Sequence, residues 1–147
     1  MDNKANFIEG GISIDDRGQL LFINDFSLDK IKRFYMVENH SSGFIRAWHG
    51  HKKESKYIFV ASGAVLIATV KINNWDKPDK NSTIQKFVLS HNQPGVLSIP
   101  AGFAHGFKTL THDSKLIIFS SFSLDESLKD DYRYDAFYWN PWEILPR

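Results

Sequence analysis

Two histidines separated by one residue, His49 and His51, are followed five residues later by Lys56. On a β-strand, residues two apart project from the same face, so both imidazoles are expected to point the same way. Imidazoles at this spacing are typical metal ligands, and a metal site would add a carboxylate to them. A protonated lysine has three donors and no acceptor, and its charge repels a divalent ion. The pattern therefore favours a site that uses a fixed cation over a site that binds a metal.

A third histidine, His105, follows Pro100 and Gly102 in the run SIPAGFAHGF. With His49 and His51 it leaves a three-histidine metal site open as an alternative. A plainer alternative is that the three imidazoles are structural or surface groups. Two histidines on one strand face and a third in a Pro-x-Gly-x-x-His setting favour a functional site.

The elements that position these side chains are strands, because short apolar or alternating runs between turn signals dominate the chain. GGISIDDRGQLLFIN indicates two strands around an Asp-Arg-Gly turn, and IKRFYMVEN indicates another. KYIFVASGAVLIATVKI indicates two strands joined as a hairpin at Ser62 and Gly63. Strands at a spacing of roughly 8–12 residues predict an all-β sandwich or barrel. SLDESLKDDYRYDAF alone has helical or irregular character. On the strand that carries His49, Arg46 is expected to point to the opposite face unless a bulge intervenes.

Composition limits the classes of protein that the chain could represent. With 147 residues, 42% apolar and 24% charged, it is expected to form a single domain over residues 1–147. A net charge of +1 favours neither a nucleic acid nor a membrane as partner. The absence of cysteine excludes disulfides, thiolate zinc sites and a cysteine nucleophile, and it agrees with a cytoplasmic location. The N-terminal run MDNKANFIEGG predicts no signal peptide, and no stretch approaches the ~18 apolar residues of a membrane span.

The histidine and lysine pattern resembles the first sequence motif of the cupin superfamily, with Gly43, His49, His51, Lys56 and Gly63 at the matching positions. The later Pro-x-Gly-x-x-His run resembles the second cupin motif. In metal-binding cupins the position of Lys56 holds a glutamate ligand. The resemblance implies an all-β cupin, a double-stranded β-helix (jelly-roll) barrel with a short C-terminal helical or irregular segment.

Three runs, NHSSGFIRAWHGH, SKYIFVASGAV and VLSIPAGFAHGF, are together similar to the dTDP-4-dehydrorhamnose 3,5-epimerase family of metal-free cupins. The similarity extends from about Asp15 to Trp142. RAWHGHKK and RFYMV are similar to the sugar-nucleotide 3,4-ketoisomerases as well. The resemblance implies a substrate of the nucleotide-linked 4-keto-6-deoxy sugar class, because both groups act on such sugars. Both reactions begin with removal of the C3 proton next to the carbonyl.

Removing a proton beside a ketone requires a base and a positive group that holds the enolate oxygen. The resemblance implies that His49 is the base, that Lys56 steadies the enolate, and that Asp135 orients the imidazole of His49. Phe122 falls where the epimerases have a tyrosine that acts as general acid. Epimerisation at C3 alone is therefore expected, rather than at both C3 and C5.

The resemblance also implies a set of substrate-binding residues: Arg17, Tyr35, Arg46, His51, His105 and Phe122. The two arginines match positions that contact substrate or diphosphate, which suits the fork geometry of a guanidinium. His51 and Tyr35 match the ketoisomerases, whereas His105 matches a histidine that lines the epimerase pocket.

The function predicted from the sequence is a metal-independent epimerase acting at C3 of a nucleoside-diphosphate 4-keto-6-deoxyhexose. Its place is expected in deoxysugar synthesis for O-antigen-type polysaccharide or lipopolysaccharide, and no cofactor and no metal are expected. The resemblance implies a homodimer with exchanged N-terminal strands. The main alternative is a 3,4-ketoisomerase. Lesser alternatives are a full 3,5-epimerase, a metal-dependent cupin and a non-catalytic cupin that binds sugar nucleotides. The nucleotide, dTDP, CDP, GDP or UDP, stays open.

Overall fold

A computed structural model describes residues 4–147, and within that range it contains twelve strands and one short helix. The strands are β1 (Asn6–Glu9), β2 (Gly11–Asp15), β3 (Gly18–Phe22), β4 (Arg33–Glu38), β5 (Ile45–His51), β6 (Lys56–Ser62), β7 (Ala64–Lys71), β8 (Ile84–Ser90), β9 (Gly95–Ile99), β10 (Phe103–Thr109), β11 (Lys115–Ser120) and β12 (Tyr132–Arg133). The helix α1 (Leu124–Leu128) lies between β11 and β12.

Two five-stranded antiparallel sheets form the body of the fold. The first has the order β1-β9-β6-β11-β4 and the second the order β12-β5-β10-β7-β8, while β2 and β3 form a separate hairpin. The apolar core combines Ile58, Leu97 and Leu116 of the first sheet with Val65 and Ile67 of the second. Inward-facing residues of two sheets that share a core are the signature of a β-sandwich. The expected all-β jelly-roll architecture is confirmed.

The Ser62–Gly63 step does not join a hairpin, and that prediction is wrong. β6 pairs with β9 and β11, whereas β7 pairs with β10 and β8, so the chain crosses here from one sheet to the other. Gly63 has a positive φ of 74°, and a Cβ at this position would lie 2.1 Å from Thr111 Oγ1. A glycine before a new strand therefore marks a corner of the sandwich here. Local sequence does not distinguish such a corner from a hairpin turn.

The outer face of the second sheet is covered by the C-terminal segment. Trp48 is fully buried there, with ring centroids 5.3 Å from Trp139 and 5.2 Å from Trp142. Its indole Nε1 donates to the carbonyl oxygens of Ala136 and Trp139, both at 3.1 Å. Because successive residues of a strand alternate between faces, the anchoring of Trp48 on the outside holds His49 on the inside.

A β-bulge in β5 brings a further side chain to the inner face. β10 residues His105 and Phe107 pair with His49 and Arg46. Two residues of β5, Ala47 and Trp48, therefore lie opposite the single residue Gly106 of β10. The extra residue turns Arg46 to the side of His49, where both line the same cavity. Gly106 lies opposite the bulge, since a Cβ there would be 2.3 Å from the Cβ of Ala47.

The helix α1 begins at a capping box. Ser123 Oγ accepts from the amide of Glu126, and Glu126 Oε1 accepts in return from the amide of Ser123. The helix has five residues. Within residues 4–147, no helix is long and apolar enough to cross a membrane. The helix α1 places Leu124, Ser127 and Leu128 at the mouth of the cavity described next.

Candidate active site

A cavity of about 280 Å³ opens where β5 and β11 end and β4, β6 and β10 begin. Both sheets contribute to its walls, and α1 with the residues around β12 closes one side. The polar and charged side chains that line it are Arg33, Tyr35, Arg46, His49, His51, Glu54, Lys56, His105, Ser127, Asp131 and Arg133. Apolar side chains complete the lining, among them Phe107 and Ile118.

Three imidazoles form the wall that the second sheet contributes. The ring centroid of His105 lies 6.1 Å from that of His49 and 5.7 Å from that of His51. His105 is 4% exposed, and its Nδ1 has no hydrogen-bond partner. Burial lowers the pKa of His105 well below its usual range, and the charges of His51, His49 and Lys56 act in the same direction. His105 is therefore neutral at physiological pH.

His49 is also held neutral, although it is only half buried. Burial lowers the pKa of His49 to about 4, with Arg133 next in effect and Asp131 opposing the shift. Arg133 pairs directly with His49 across the β5–β12 ladder. A neutral imidazole has a free lone pair, so His49 is in the state that a base requires.

The facing wall, contributed by the first sheet, carries a buried cation. Lys56 is 4% exposed at the start of β6. Its Nζ lies 2.8 Å from Glu54 Oε2 and donates to the hydroxyl oxygen of Tyr35 at 3.1 Å. The Tyr35 hydrogen is thus left free to be donated elsewhere. Lys56 and Tyr35 together present an ammonium and a phenol across the cavity from the histidines.

Glu54 is a buried residue of the cavity lining that sequence reasoning missed. It is 1% exposed, and its Oε2 accepts from Lys56, from Ser127 Oγ at 2.9 Å and from Ser120 Oγ. Burial by itself raises the pKa of Glu54, but the hydrogen bonds from Lys56 and Ser120 and the Lys56 charge outweigh it and lower the pKa. The carboxylate is ionised at neutral pH. One available signal was that Glu54 and Lys56 are two residues apart and so share a strand-like parity.

Asp130 organises the loop that carries Glu54. Its carboxylate accepts from the backbone amides of Lys52, Lys53 and Glu54, each at 2.9 Å. Its backbone carbonyl lies 2.7 Å from Nδ1 of His51, which fits a donated N–H and leaves Nε2 as an acceptor. Three amide donors satisfy the Asp130 carboxylate, so loop 52–54 is held rigidly against the segment after α1.

One group among residues 4–147 has ligand atoms that all lie within 4.8 Å of one another, namely His51, Glu54 and Asp130. Its carboxylates are already engaged, Asp130 by three amides and Glu54 by Lys56 and two serines. A divalent ion there would also meet the ammonium of Lys56, which repels it. The donor set does not fit a metal ion in the state that the structure describes.

The structure brings six of the nine residues singled out in the sequence into this one cavity: Tyr35, Arg46, His49, His51, Lys56 and His105. Arg17 is not among them. It lies in the β2–β3 hairpin, where its side chain is 87% exposed and forms an ion pair with Asp15 at 2.5 Å. Phe122 does not line the cavity either; it follows β11, and its amide donates to Ser120 Oγ.

Asp135, the expected partner of His49, also lies outside the cavity. It is exposed and begins a turn, in which its carboxylate accepts from the amide of Phe137 at 2.9 Å. The expected pairing of Asp135 with His49 is not formed, because the Asp135 carboxylate is held by the amide of Phe137 in the turn after β12. Asp131, the second carboxylate of the cavity lining beside Glu54, forms its ion pair with Arg133 and raises the pKa of His49 through its charge.

Two cavity arginines also escaped the sequence reasoning. Arg33 donates to Ser127 Oγ at 3.0 Å and lies over the Tyr35 ring, and Arg133 pairs with Asp131 at 3.1 Å. With Arg46 and Lys56, the cavity has four cations against two carboxylates. An excess of arginine guanidinium groups at a cavity of this kind suits a doubly charged phosphate group.

Comparison with known proteins identifies the family of the chain. A family model described as dTDP-4-dehydrorhamnose 3,5-epimerase matches residues 7–135. A curated relative from Haloferax volcanii, described as "Probable low-salt glycan biosynthesis epimerase Agl13", is 24% identical over 112 residues, which is 73% of this chain and 70% of the relative.

Solved structures share the fold over nearly the whole chain. A double mutant of the QdtA 3,4-ketoisomerase from Thermoanaerobacterium thermosaccharolyticum, in complex with TDP, has a TM-score of 0.70 at 26% identity, covering 94% of this chain and 93% of that one. The dTDP-4-dehydrorhamnose 3,5-epimerase from Bacillus anthracis, with TDP and PPi bound, has a TM-score of 0.74 at 22% identity, covering 97% and 86%.

The electrostatics of His49 can be tested by titration. We expect His49 to stay neutral down to about pH 4, and the Arg133→Gln change to raise the pKa of His49 because it removes a neighbouring cation. Long-range nitrogen NMR of the imidazole rings measures both values. Arg147→Gln, which removes an exposed arginine near the chain end, serves as the control and should leave His49 unchanged. A His49 titration that is the same in all three proteins would contradict the assignment.

Proposed function

The chain belongs to the dTDP-4-dehydrorhamnose 3,5-epimerase family, and we propose that it is an isomerase that inverts C3 of a nucleoside-diphosphate 4-keto-6-deoxyhexose without a metal. The product would enter deoxysugar and glycan synthesis of the O-antigen type. One observation carries this proposal: neutral imidazoles on one wall of the cavity face a buried ammonium and a phenol on the other. Inversion needs a base and an acid on opposite faces of the reacting carbon.

His49 is the base in this mechanism. Its lone pair takes the C3 proton, the C3–H bond breaks, and the electron pair moves into the C3–C4 bond while the carbonyl becomes an enolate. The ammonium of Lys56 faces the enolate oxygen and stabilises the negative charge that develops there. Since Lys56 is buried away from bulk water, its interaction with that charge is less screened than at the surface.

Tyr35 is the acid that completes the inversion. Its hydroxyl oxygen already accepts a hydrogen bond from Lys56, and its own hydrogen is free. Donation of that hydrogen to C3 from the side opposite His49 gives the inverted sugar, and the same ammonium stabilises the tyrosinate that results. His49 then releases its extra proton to solvent, and the tyrosinate of Tyr35 takes up a proton from solvent. This assignment supplies a donor where Phe122 has none.

The nucleotide is bound outside the reacting chamber. A cavity of about 280 Å³ is small for a whole nucleotide sugar and matches its sugar ring. Arg33, Arg46 and Arg133 are the groups for the diphosphate, because guanidinium forks match phosphate oxygens. The solved ketoisomerase relative was bound to TDP, which makes dTDP sugars the first substrates to test.

A 3,4-ketoisomerase is the second candidate, and a specific observation favours it. His51 lies on the same strand face as His49, with Nε2 available once Nδ1 is held by Asp130. Two imidazoles on one face suit a proton that leaves C3 and returns to C4 from the same side, while the C3 hydroxyl gives up its proton to become the ketone and O4 takes up a proton to become the hydroxyl. In that reaction the ketone moves to C3, so the product distinguishes the two candidates.

A homodimer is the proposed assembly. Arg17 lies on a hairpin remote from its own cavity, and an exchanged hairpin would bring it to the cavity of the second copy. Phe34 on β4 is 68% exposed and Met36 beside it is also exposed, which leaves apolar surface uncovered.

Sedimentation velocity tests the dimer. We expect the protein to sediment with twice the mass of one chain, and the Phe34→Asp change to shift it toward monomer because a charge would be buried at the contact. Leu145→Asp, at an exposed leucine of the C-terminal segment, is the control and should leave the mass unchanged. A monomer at all concentrations would refute this assembly.

The reaction itself is tested in heavy water with dTDP-, CDP-, GDP- and UDP-4-keto-6-deoxyhexoses. We expect deuterium at C3, an inverted C3 in the product and a ketone that stays at C4, all read by NMR. His49→Asn should reduce exchange by about 10²- to 10⁴-fold, because an amide cannot take the proton. His112→Asn, at an exposed histidine of the β10–β11 turn, is the control.

Each other outcome has a definite meaning. A ketone that moves to C3 selects the ketoisomerase, and deuterium at C5 selects a full 3,5-epimerase. Exchange that His51→Asn abolishes and His49→Asn spares reassigns the base. Binding without exchange for every sugar refutes an enzymatic role for the cavity.

Tyr35→Phe separates proton removal from proton return. We expect the variant to keep deuterium exchange at C3, because His49 can remove and return a proton on its own side. Inversion should fall by about 10²-fold or more, because the opposite donor is lost. Tyr57→Phe, at a tyrosine on β6 outside the cavity, is the matched control. Inversion that survives in Tyr35→Phe would show that another group is the acid.

A further inference from the structure

Glu54 has no part in the proton transfers proposed above, yet it is the most completely buried charged group beside them. Its side chain has no solvent exposure, and one oxygen accepts from three donors: Lys56, Ser120 and Ser127. The other oxygen, Oε1, lies 3.4 Å from His51 Nδ1 and has no hydrogen-bond partner. A buried carboxylate with an oxygen left unpaired is costly, so its retention needs a reason.

The reason lies in the lysine. An ammonium buried in a cavity wall loses hydration and releases its proton more readily unless an opposite charge lies within a few ångströms. Three imidazoles and Tyr35 surround Lys56, and none of them is an anion in the resting site. Glu54 is the carboxylate in contact with Lys56, with Nζ and Oε2 2.8 Å apart. The pair satisfies both buried charges at once.

We propose that Glu54 is a positioning residue that keeps Lys56 protonated and aimed into the cavity. Its effect on catalysis acts through Lys56 and rests on the proposed function. The ion pair itself can be tested without substrate. The two serines, from the end of β11 and from α1, fix the carboxylate so that it does not rotate away from the ammonium.

The groups that face Lys56 define what its titration reports. They are Glu54 from the preceding loop, Tyr35 from β4, His49 and His51 from β5 and His105 from β10. On the strands paired with β6, the residues opposite Lys56 are Ser120 and Ile99, which do not titrate in the working range. Since His105 and His49 are neutral at pH 7, Glu54 is the group whose removal changes the charge balance at Lys56.

The substrate-free experiment measures the pH at which Lys56 becomes reactive toward acetic anhydride, by peptide mass spectrometry. A neutral amine reacts and an ammonium does not. We expect Glu54→Gln to become acylated at Lys56 at lower pH than the unmodified protein, by one pH unit or more. Glu54→Asp keeps the charge but shortens the reach, and we expect a smaller shift in the same direction. Circular dichroism reports whether each variant is folded. If Glu54→Gln does not fold, the acylation curve of Glu54→Asp decides the outcome.

The chain offers a matched control. Glu126 and Lys32 form an exposed ion pair of similar length, 2.7 Å, outside the cavity lining. Glu126→Gln removes that charge while a glutamine can keep the capping box. We expect its Lys56 acylation curve to match that of the unmodified protein. Lys56 curves that are the same in Glu54→Gln, Glu54→Asp and the unmodified protein would overturn the proposal.

Activity measurements distinguish a failure of the role proposed for Glu54 from a failure of the proposed function. In Glu54→Gln we expect kcat for C3 exchange to fall by about 10²-fold with KM unchanged, and the high-pH limb of the rate profile to move to lower pH. Glu54→Asp should recover part of the lost rate. A lower kcat with an unmoved pH profile would mean a merely structural role and overturn the inference. If the unmodified protein exchanges no substrate, the proposed function fails, while the acylation curves still decide the role of Glu54.

Discussion

The constraint on which the site depends is the burial of a charged lysine in the wall of a β-sandwich. Lys56 and Glu54 are both almost inaccessible to water, and the ammonium and carboxylate compensate each other across 2.8 Å. Taking either charge out of water alone costs several kcal/mol, so neither can be buried without the other. The surrounding elements meet at this pair: the end of β11 and α1 each donate a serine hydroxyl, and Asp130 holds the loop that carries Glu54.

That ion pair also explains which chemistry the barrel can perform. A carboxylate among histidines attracts a metal ion, whereas a carboxylate already neutralised by an ammonium does not. What the cavity gains is a buried positive group that faces imidazoles held neutral by burial. Removal of a proton beside a carbonyl needs this combination. Epimerisation and ketone transfer share that first step, and they differ in the position of the group that returns the proton.

The scaffold holds these groups by packing on the opposite side of each strand. Trp48 is locked on the outer face by Trp139 and Trp142, so its neighbour His49 has no freedom to turn outward. One extra residue in β5 reverses the parity beyond Ala47 and adds Arg46 to the cavity. The C-terminal segment, which looked irregular in the sequence, therefore contributes to the site through the tryptophans that it packs against β5.

Alternating apolar residues and turn residues were enough to predict the strands and an all-β sandwich or barrel, whereas the jelly-roll architecture and the roles of the histidines and Lys56 were implied by the resemblance to two short cupin motifs. These features are local, because a strand exposes its two faces with a period of two and the motifs are contiguous. The Ser62–Gly63 corner was mistaken for a hairpin because a tight turn does not reveal which sheet the next strand joins. Asp135 was expected at His49 because its run resembles a segment of the epimerases, and a resemblance of sequence does not show which carboxylate the chain brings to the cavity.

Tertiary structure alone decided the electrostatics. Glu54 reads as one more charge in a polar loop until Ser120 and Ser127, 66 and 73 residues away, are brought to its oxygen. Arg33 and Arg133 likewise join the cavity only when β4 and β12 take their places in the two sheets. The physical reason is that the state of a buried charge depends on its neighbours in space, and those come from distant parts of the chain. The sequence by itself determined the strands and which reactive side chains share a face; the partners that keep those side chains charged or neutral were decided by the fold.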